Sequence, residues 1–308
     1  MHSKKIPSGL WPVMLTPFKQ NKQIDFSALD DLTQWYIDSG VAGLFTVCGS
    51  SEMYTLTDEE RLKMAKHVSA KAANKVPVVA TGTFGGSIQN QAQFVKKMAD
   101  TGIAAVVCLV NQLADKDQND DLWKANTEKL LSLTGNIKLG LYECPNPYHR
   151  ILSPALLEWI ISTERFVFLK ETSGNIDLIK EKIAISKNSP LSFFNAHSGS
   201  ILESLQCGGD GFCGIAANFY PELFAWICNN FEDQNEKAQQ LQQFFINNEK
   251  PVIEHKYMTS AKKFIAMRGI DIHTTCRACD NILDEKDISL LENLLKEVTI
   301  WHHKLGLL

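Results

Sequence analysis

A (β/α)₈ TIM barrel followed by a C-terminal helical region is the fold class this α/β sequence predicts, and three observations predict it. Eight short apolar runs recur between residues 11 and 216, each parted from the next by an amphipathic segment. The clearest run, Phe166-Val167-Phe168-Leu169, is apolar on both side-chain parities, as suits a parallel strand covered on two faces. After Ala217 the strand-like runs stop, and about 90 residues of helical pattern follow. Eight strands alternating with helices is the count of a closed barrel; a doubly wound open sheet is its structural rival.

The strands are expected at 11–15, 43–47, 77–81, 104–109, 137–142, 166–170, 191–195 and 211–216. Between them, 25–38 carries Phe26, Leu29, Leu32, Trp35 and Tyr36 at helical spacing. The segment 58–72 opens with Asp58-Glu59-Glu60, and acidic groups favour a helix N-terminus. Helical spacing continues at 87–98, 121–133, 153–161, 176–186 and 199–206, with Ser153-Pro154 as a capping serine and a first-turn proline. Further helices are expected at 221–230, 234–247, 258–267 and 288–302; in the Gln-rich stretch among them, Leu241, Phe244 and Phe245 keep a helical period. The expected division is a barrel carrying the active site at 1–220 and a helical region at 221–308.

Composition narrows the function classes. The 308 residues are 44% hydrophobic and 21% charged, ordinary for a globular chain able to bury a core. A net charge of -4, with basic residues only in short pairs, argues against nucleic acid and anionic membrane as partners. The apolar run 103–110 is too short to span a bilayer, and the first residues lack the apolar core of a signal peptide. Eight cysteines without dense regular spacing suit reduced thiols, and a cytoplasmic location is expected. His273-x-x-Cys276-x-x-Cys279 has metal-ligand spacing, but offers three local ligands where a structural zinc site takes four; reduced thiols and no metal are expected there.

In a barrel, reactive groups gather where strands end, because the following loops meet on that face. Lys170 closes the sixth strand, its stem among apolar residues and its amine at the exit, where it can attack a carbonyl. Tyr142 closes the fifth, followed by Pro145 and Pro147, and is a candidate proton relay. The second ends in Cys48-Gly49-Ser50-Ser51-Glu52, a small-residue turn able to hold a carboxylate through hydroxyls and N–H groups, or simply to cap a helix. A carboxylate cradle, a phenol and an amine together suit chemistry through an imine.

With these residues in place the chain resembles the superfamily of dihydrodipicolinate synthase and N-acetylneuraminate lyase, the Schiff-base class I aldolases. Ser50-Ser51-Glu52 with Leu56 and Asp58-Glu59-Glu60-Arg61 is similar to its Gly-Thr-Thr-Gly-Glu region. Tyr142-x-x-Pro145 resembles its Tyr-Asn-Val-Pro, and Lys170-Glu171-Thr172-Ser173-Gly174 its Lys-Glu/Asp-x-Ser-Gly. Thr16-Pro17-Phe18, Ile24-Asp25 and the stretch 211–218 also fit, so the likeness runs from about residue 8 to 220. The resemblance implies that Lys170 forms an imine with pyruvate or a related 2-oxo acid and that Tyr142 shuttles protons. It implies further that Ser50 and Ser51 hold the carboxylate, with Cys213 of the eighth strand beside them. The lysine serves as electron sink, so no organic cofactor or metal is called for. The small-molecule partners are a 2-oxo acid and an aldehyde, and a homo-oligomer, dimer or tetramer, is expected.

The likeness is to the superfamily rather than to one member. Dihydrodipicolinate synthases usually carry an arginine shortly after Tyr-Asn-Val-Pro; here Pro147 stands there and Arg150 follows three residues later. Their tyrosine pair after the fourth strand is replaced by Asn111-Gln112-Leu113-Ala114-Asp115. N-acetylneuraminate lyases grip sugar hydroxyls with acidic residues after the seventh strand, where this chain has Ala196-His197-Ser198-Gly199. Candidates for the second substrate are Glu143, His149, Arg150 and His197, Arg150 suiting an acidic aldehyde. A dihydrodipicolinate-synthase-like condensation and cleavage of a 2-keto-3-deoxy sugar acid or N-acetylneuraminate-type substrate both stay open. A non-catalytic barrel that binds a 2-oxo acid is the alternative of another class.

Overall fold

The computed structural model describes residues 5–307. Eight strands, β1 (Gly9–Leu10), β2 (Leu44–Thr46), β3 (Val78–Thr81), β4 (Ala105–Leu109), β5 (Leu139–Tyr142), β6 (Phe166–Glu171), β7 (Ser192–Asn195) and β8 (Gly211–Phe212), form one parallel sheet. Their order is β1-β8-β7-β6-β5-β4-β3-β2. The two ends of that order meet. Val13 bridges Phe45, whose N–H donates to the Pro12 carbonyl (3.1 Å), while the Met14 N–H donates to the Phe45 carbonyl (2.9 Å). The barrel is therefore closed, and the open doubly wound sheet is excluded.

The first strand departs from expectation. Its laddered residues are Gly9 and Leu10, and the 11–15 run continues only through the Val13 bridge. Pro12 explains the interruption, since it carries no N–H to donate.

Helices α1 (Phe26–Asp38), α2 (Asp58–Ala72), α3 (Ile88–Ala99), α4 (Asp120–Thr134), α5 (Pro154–Ser162), α6 (Ile176–Ser186) and α7 (Ile201–Gln206) alternate with the strands. Side chains of Asp25, Thr57, Ser87, Asn119, Ser153 and Asn175 each accept a first-turn N–H at the starts of α1 to α6. Then come α8 (Pro221–Asn230), α9 (Asn235–Asn248), α10 (Thr259–Met267) and α11 (Glu285–Leu305). They share the barrel's core: Phe224 stacks between Phe212 of β8 and Phe245 of α9, at 4.1 Å from each ring centroid.

The lower interior is filled by aromatic rings. Phe168 lies 5.5 Å from Trp11, 5.6 Å from Phe45 and 5.0 Å from Phe194, centroid to centroid. Gly43 makes room for the indole, because a Cβ there would stand 2.4 Å from it. Phe45 also meets Tyr142 edge-on at 5.8 Å. These rings floor the space above them.

Strand parity decides what reaches that space. Side chains alternate across a strand, so β6 sends Phe168 and Lys170 inward and Glu171 outward. Likewise β5 sends Tyr142 inward, and Glu143 just beyond it turns out toward α6.

Candidate active site

Lys170 and Tyr142 face one another in the β5–β6 register. The Lys170 amine sits 4.3 Å from the centre of the phenol ring, and each residue is about 5% exposed. Among the described residues Lys170 forms no ion pair, so its amine faces the cavity without a carboxylate to hold it. Burial, and after it Cys144, push the Tyr142 phenol well above its usual range, so it stays protonated at neutral pH and can donate.

Two lobes open from this pair. One, of about 340 Å³, reaches Ser50, Glu52 and Tyr257; the other, of about 240 Å³, reaches His149, Thr172, His197, Glu249 and Glu254. Lys170 and Tyr142 border both.

The turn at Gly49–Ser51 closes the first lobe. The Tyr142 hydroxyl would stand 3.3 Å from a Cβ on Gly49, so the phenol lies against this turn. Ser50 lines the cavity, and its oxygen accepts from the Tyr257 hydroxyl (2.7 Å). Tyr257 accepts in turn from the Asn218 amide (2.7 Å), which also donates to the Val13 carbonyl (2.9 Å). Tyr36 of α1 donates to the Asn218 side-chain oxygen and so orients the amide. The chain of donors runs one way, Asn218 to Tyr257 to Ser50. The Ser50 proton is left to donate into the cavity, as binding a carboxylate requires. Sequence reasoning missed Tyr257, Asn218 and Tyr36, and no local motif marks them.

Glu52 also borders this lobe, but its charge is held. Oε1 accepts from the fully buried Lys262 amine (2.9 Å), and Oε2 from the N–H groups of Arg277 (2.5 Å) and Ala278 (2.8 Å). Arg277 then clasps Glu60 through two N–H donors (2.7 and 2.8 Å). The C-terminal region is thereby fastened over the barrel mouth, and Tyr257, Met258 and Ala278 line the lobe. The site is not confined to residues 1–220.

Of the residues singled out from sequence, Lys170, Tyr142 and Ser50 come together in the first lobe, and His149 and His197 border the second. Four others are placed elsewhere. Ser51 points away from the cavity: its hydroxyl donates to the Met14 carbonyl (2.6 Å) and accepts from the Cys48 N–H (3.0 Å), which steadies the turn from behind. Cys213 is fully buried and lines neither lobe, its thiol pushed up to about 12 by burial, so it serves as inert wall. Glu143 is sealed outside the barrel wall, accepting from Lys182 (2.7 Å) and the N–H groups of Leu152 and Thr172 (both 2.9 Å). Arg150 is turned onto Asp120 (2.7 Å) and the Gln118 carbonyl (2.9 Å), away from both lobes.

Lys182, Glu143 and Glu171 are all fully buried, and Lys182 reaches Glu171 at 3.2 Å. Burial is the main reason the Glu143 carboxyl is raised to about 7; Lys182 opposes it and Glu171 reinforces it. Cys276 and Cys279 both approach the Thr259 hydroxyl (3.7 and 3.6 Å). Among the described residues no group of three or more His, Cys, Asp or Glu is disposed to hold a metal ion. Nor is any described helix long and apolar enough to cross a membrane.

The model of the dihydrodipicolinate synthetase family matches residues 6–298. Similar curated proteins include a 4-hydroxy-tetrahydrodipicolinate synthase of Clostridium novyi, 23% identical over 94% of this chain and 95% of that one. Another, from Thermotoga neapolitana, is 24% identical over 94% and 98%. Among solved structures, a prophage protein of the dihydrodipicolinic acid synthase family from E. coli K12, determined in complex with pyruvate, superposes with a TM-score of 0.84. It is 21% identical and covers 95% of this chain and 98% of its own. The dihydrodipicolinate synthase of Thermotoga maritima gives 0.84 at 20% identity over 96% and 99%. At these identities the superpositions establish the shared barrel.

Proposed function

We propose, from the premise that the chain belongs to the dihydrodipicolinate synthetase family, that its Lys170 is the amine through which this Schiff-base lyase or synthase engages pyruvate or a related 2-oxo acid. The observation that carries the assignment is the buried Lys170 amine, without an ion pair among the described residues, beside the Tyr142 phenol at the meeting point of two lobes.

Ser50, polarised through Tyr257 and Asn218, takes the substrate carboxylate in the first lobe. The neutral Lys170 amine attacks the keto carbon, and its nitrogen gives up a proton while the keto oxygen gains one. Tyr142 carries these protons and passes a further one, drawn from solvent, to the carbinolamine hydroxyl, which departs as water and so leaves an iminium. The iminium draws electrons from the adjacent C–H bond; release of that proton gives an enamine. The enamine carbon bonds to an aldehyde carbon in the second lobe, the aldehyde oxygen takes up a proton, and water cleaves the new iminium to free Lys170. Run backward, the same steps break that carbon–carbon bond. The electron sink is the lysine imine itself, so no metal or organic cofactor is required. We assign the barrel to residues 1–220 and a C-terminal helical region to 221–308, and expect a cytoplasmic homo-oligomer, dimer or tetramer, for this chain.

The test is reduction with borohydride in the presence of pyruvate, read by intact and peptide mass. One reduced pyruvate attached at Lys170, and none on Lys170→Ala, is the expected result. A folded wild-type protein that gains no adduct would instead be a binder without imine chemistry.

A further inference from the structure

We propose that the second lobe selects an uncharged, hydroxylated aldehyde and rejects anionic ones, and that Glu249 and Glu254, on the turn after α9, set this choice. The inference rests on the imine reading above, since it names the compound that meets the enamine.

Five observations point the same way. Glu249 and Glu254 border the lobe from the segment joining α9 to α10, far in sequence from the strand ends that frame the rest. Glu249 is fixed: one oxygen accepts from the Ser198 N–H (3.2 Å), and the other lies 3.6 Å from the His197 ring nitrogen. Its side chain is only 14% exposed, so its charge is poorly screened. Among the described residues, Lys170 is the only Lys or Arg bordering either lobe, and the imine consumes that amine. The nearby cations are engaged elsewhere, Lys182 by Glu143 and Glu171, Arg150 by Asp120.

His149 adds an acceptor rather than a charge. The Thr172 hydroxyl donates to the Glu143 carbonyl (2.5 Å), so toward His149 Nε2, at 2.8 Å, its oxygen must accept. Nε2 therefore carries the proton, and in the neutral ring Nδ1 is left to accept. Burial lowers this histidine's proton affinity, in keeping with a neutral ring.

Two carboxylates and a neutral imidazole acceptor want hydrogen-bond donors, which sugar-like hydroxyls supply. A carboxylate or phosphate in the same space would meet like charge, with no lysine or arginine beyond the consumed Lys170 among the described lining residues to answer it and His197 already facing Glu249. Arg150 cannot supply one from where it lies, so the acidic partner it suggests in sequence has no counter-charge here.

The experiment compares pyruvate condensation with D-glyceraldehyde and D-erythrose against succinic semialdehyde and glyceraldehyde 3-phosphate, as kcat/KM. Wild type, Glu254→Gln and Glu254→Arg are assayed in parallel. The borohydride-trapped pyruvate adduct measures the first half-reaction in each. The uncharged aldehydes are expected to be favoured by about tenfold or more, and Glu254→Arg to shift the ratio toward the anionic ones by a similar factor. Equal or better use of the anionic aldehydes, or an enamine that adds to neither class, overturns the proposal while leaving the imine intact. Absence of the adduct itself would be a different failure, of Lys170 rather than of the second lobe.

Discussion

Two buried lysines stand on opposite sides of the same barrel wall, and their surroundings assign them opposite roles. Lys170 points inward to a cavity, with a phenol face and no carboxylate for company. Lys182, on α6, is fully buried between Glu143 and Glu171 at 2.7 and 3.2 Å. An ammonium wedged between carboxylates has its protons committed and cannot reach a substrate. An amine that no carboxylate among the described residues pairs keeps its donors and, once neutral, its lone pair for chemistry. The partners, not the depth of burial, separate a reactive lysine from a structural one.

The comparison would break most sharply if the two lysines could exchange roles. Lys170→Ala should lower turnover on the order of a thousandfold or more with unfolding temperature nearly unchanged, as steady-state assay and calorimetry would show. Lys182→Met should do the reverse. Leaving two carboxylates buried without their cation should cost about 3–5 kcal/mol in denaturant unfolding, while the folded protein still traps pyruvate. Adding Glu143→Gln and Glu171→Gln should recover part of that loss, and no recovery would mean that the triad is not what holds α6 to the wall. A smaller effect sharpens the inward side: Tyr257→Phe removes the donor to Ser50, and KM for the 2-oxo acid should rise roughly tenfold with less change in kcat. An unchanged KM would take Ser50 out of carboxylate binding.

The smallest effect concerns the clasp at the barrel mouth. Arg277, chiefly through its hydrogen bonds, holds the Glu60 carboxyl down to about 2, against ~4.3 in an unfolded chain. A depressed folded value means that the stabilisation is complete above the unfolded value and lost as pH falls from there through about 2. Wild type and Glu60→Gln should therefore differ in stability at pH 6 and converge in acid; an unvarying gap would assign the difference to something other than this charge.

Much of the barrel was legible because its signals are local. The run ending at Lys170 and the Tyr142–Pro145 turn each announce a strand end, and facing register then brings the pair together. The capping Ser153 with Pro154 bounds α5 in sequence and in space alike. Glu143, expected at the second substrate, is misplaced although its signal is local: one step after an inward Tyr142 it points outward, and strand parity takes it out of the cavity. Arg150 could not be judged that way, because the loop that turns it onto Asp120 obeys no such period. Least legible were Tyr257 and the two glutamates of the second lobe. The Ser50–Tyr257 hydrogen bond spans 207 positions, and only the packing of the C-terminal helices over the mouth creates it.

The floor of rings under Lys170 has its own consequence for how this architecture changes over time. Trp11, Phe45, Phe168 and Phe194 stop the shaft from below, and Gly43 has no room to become anything larger. A longer substrate can grow only upward, past the imine and out through the rim. Divergence among catalysts of this build should therefore accumulate in the crown of loops and in the segment after α9, with the base left as shared inheritance.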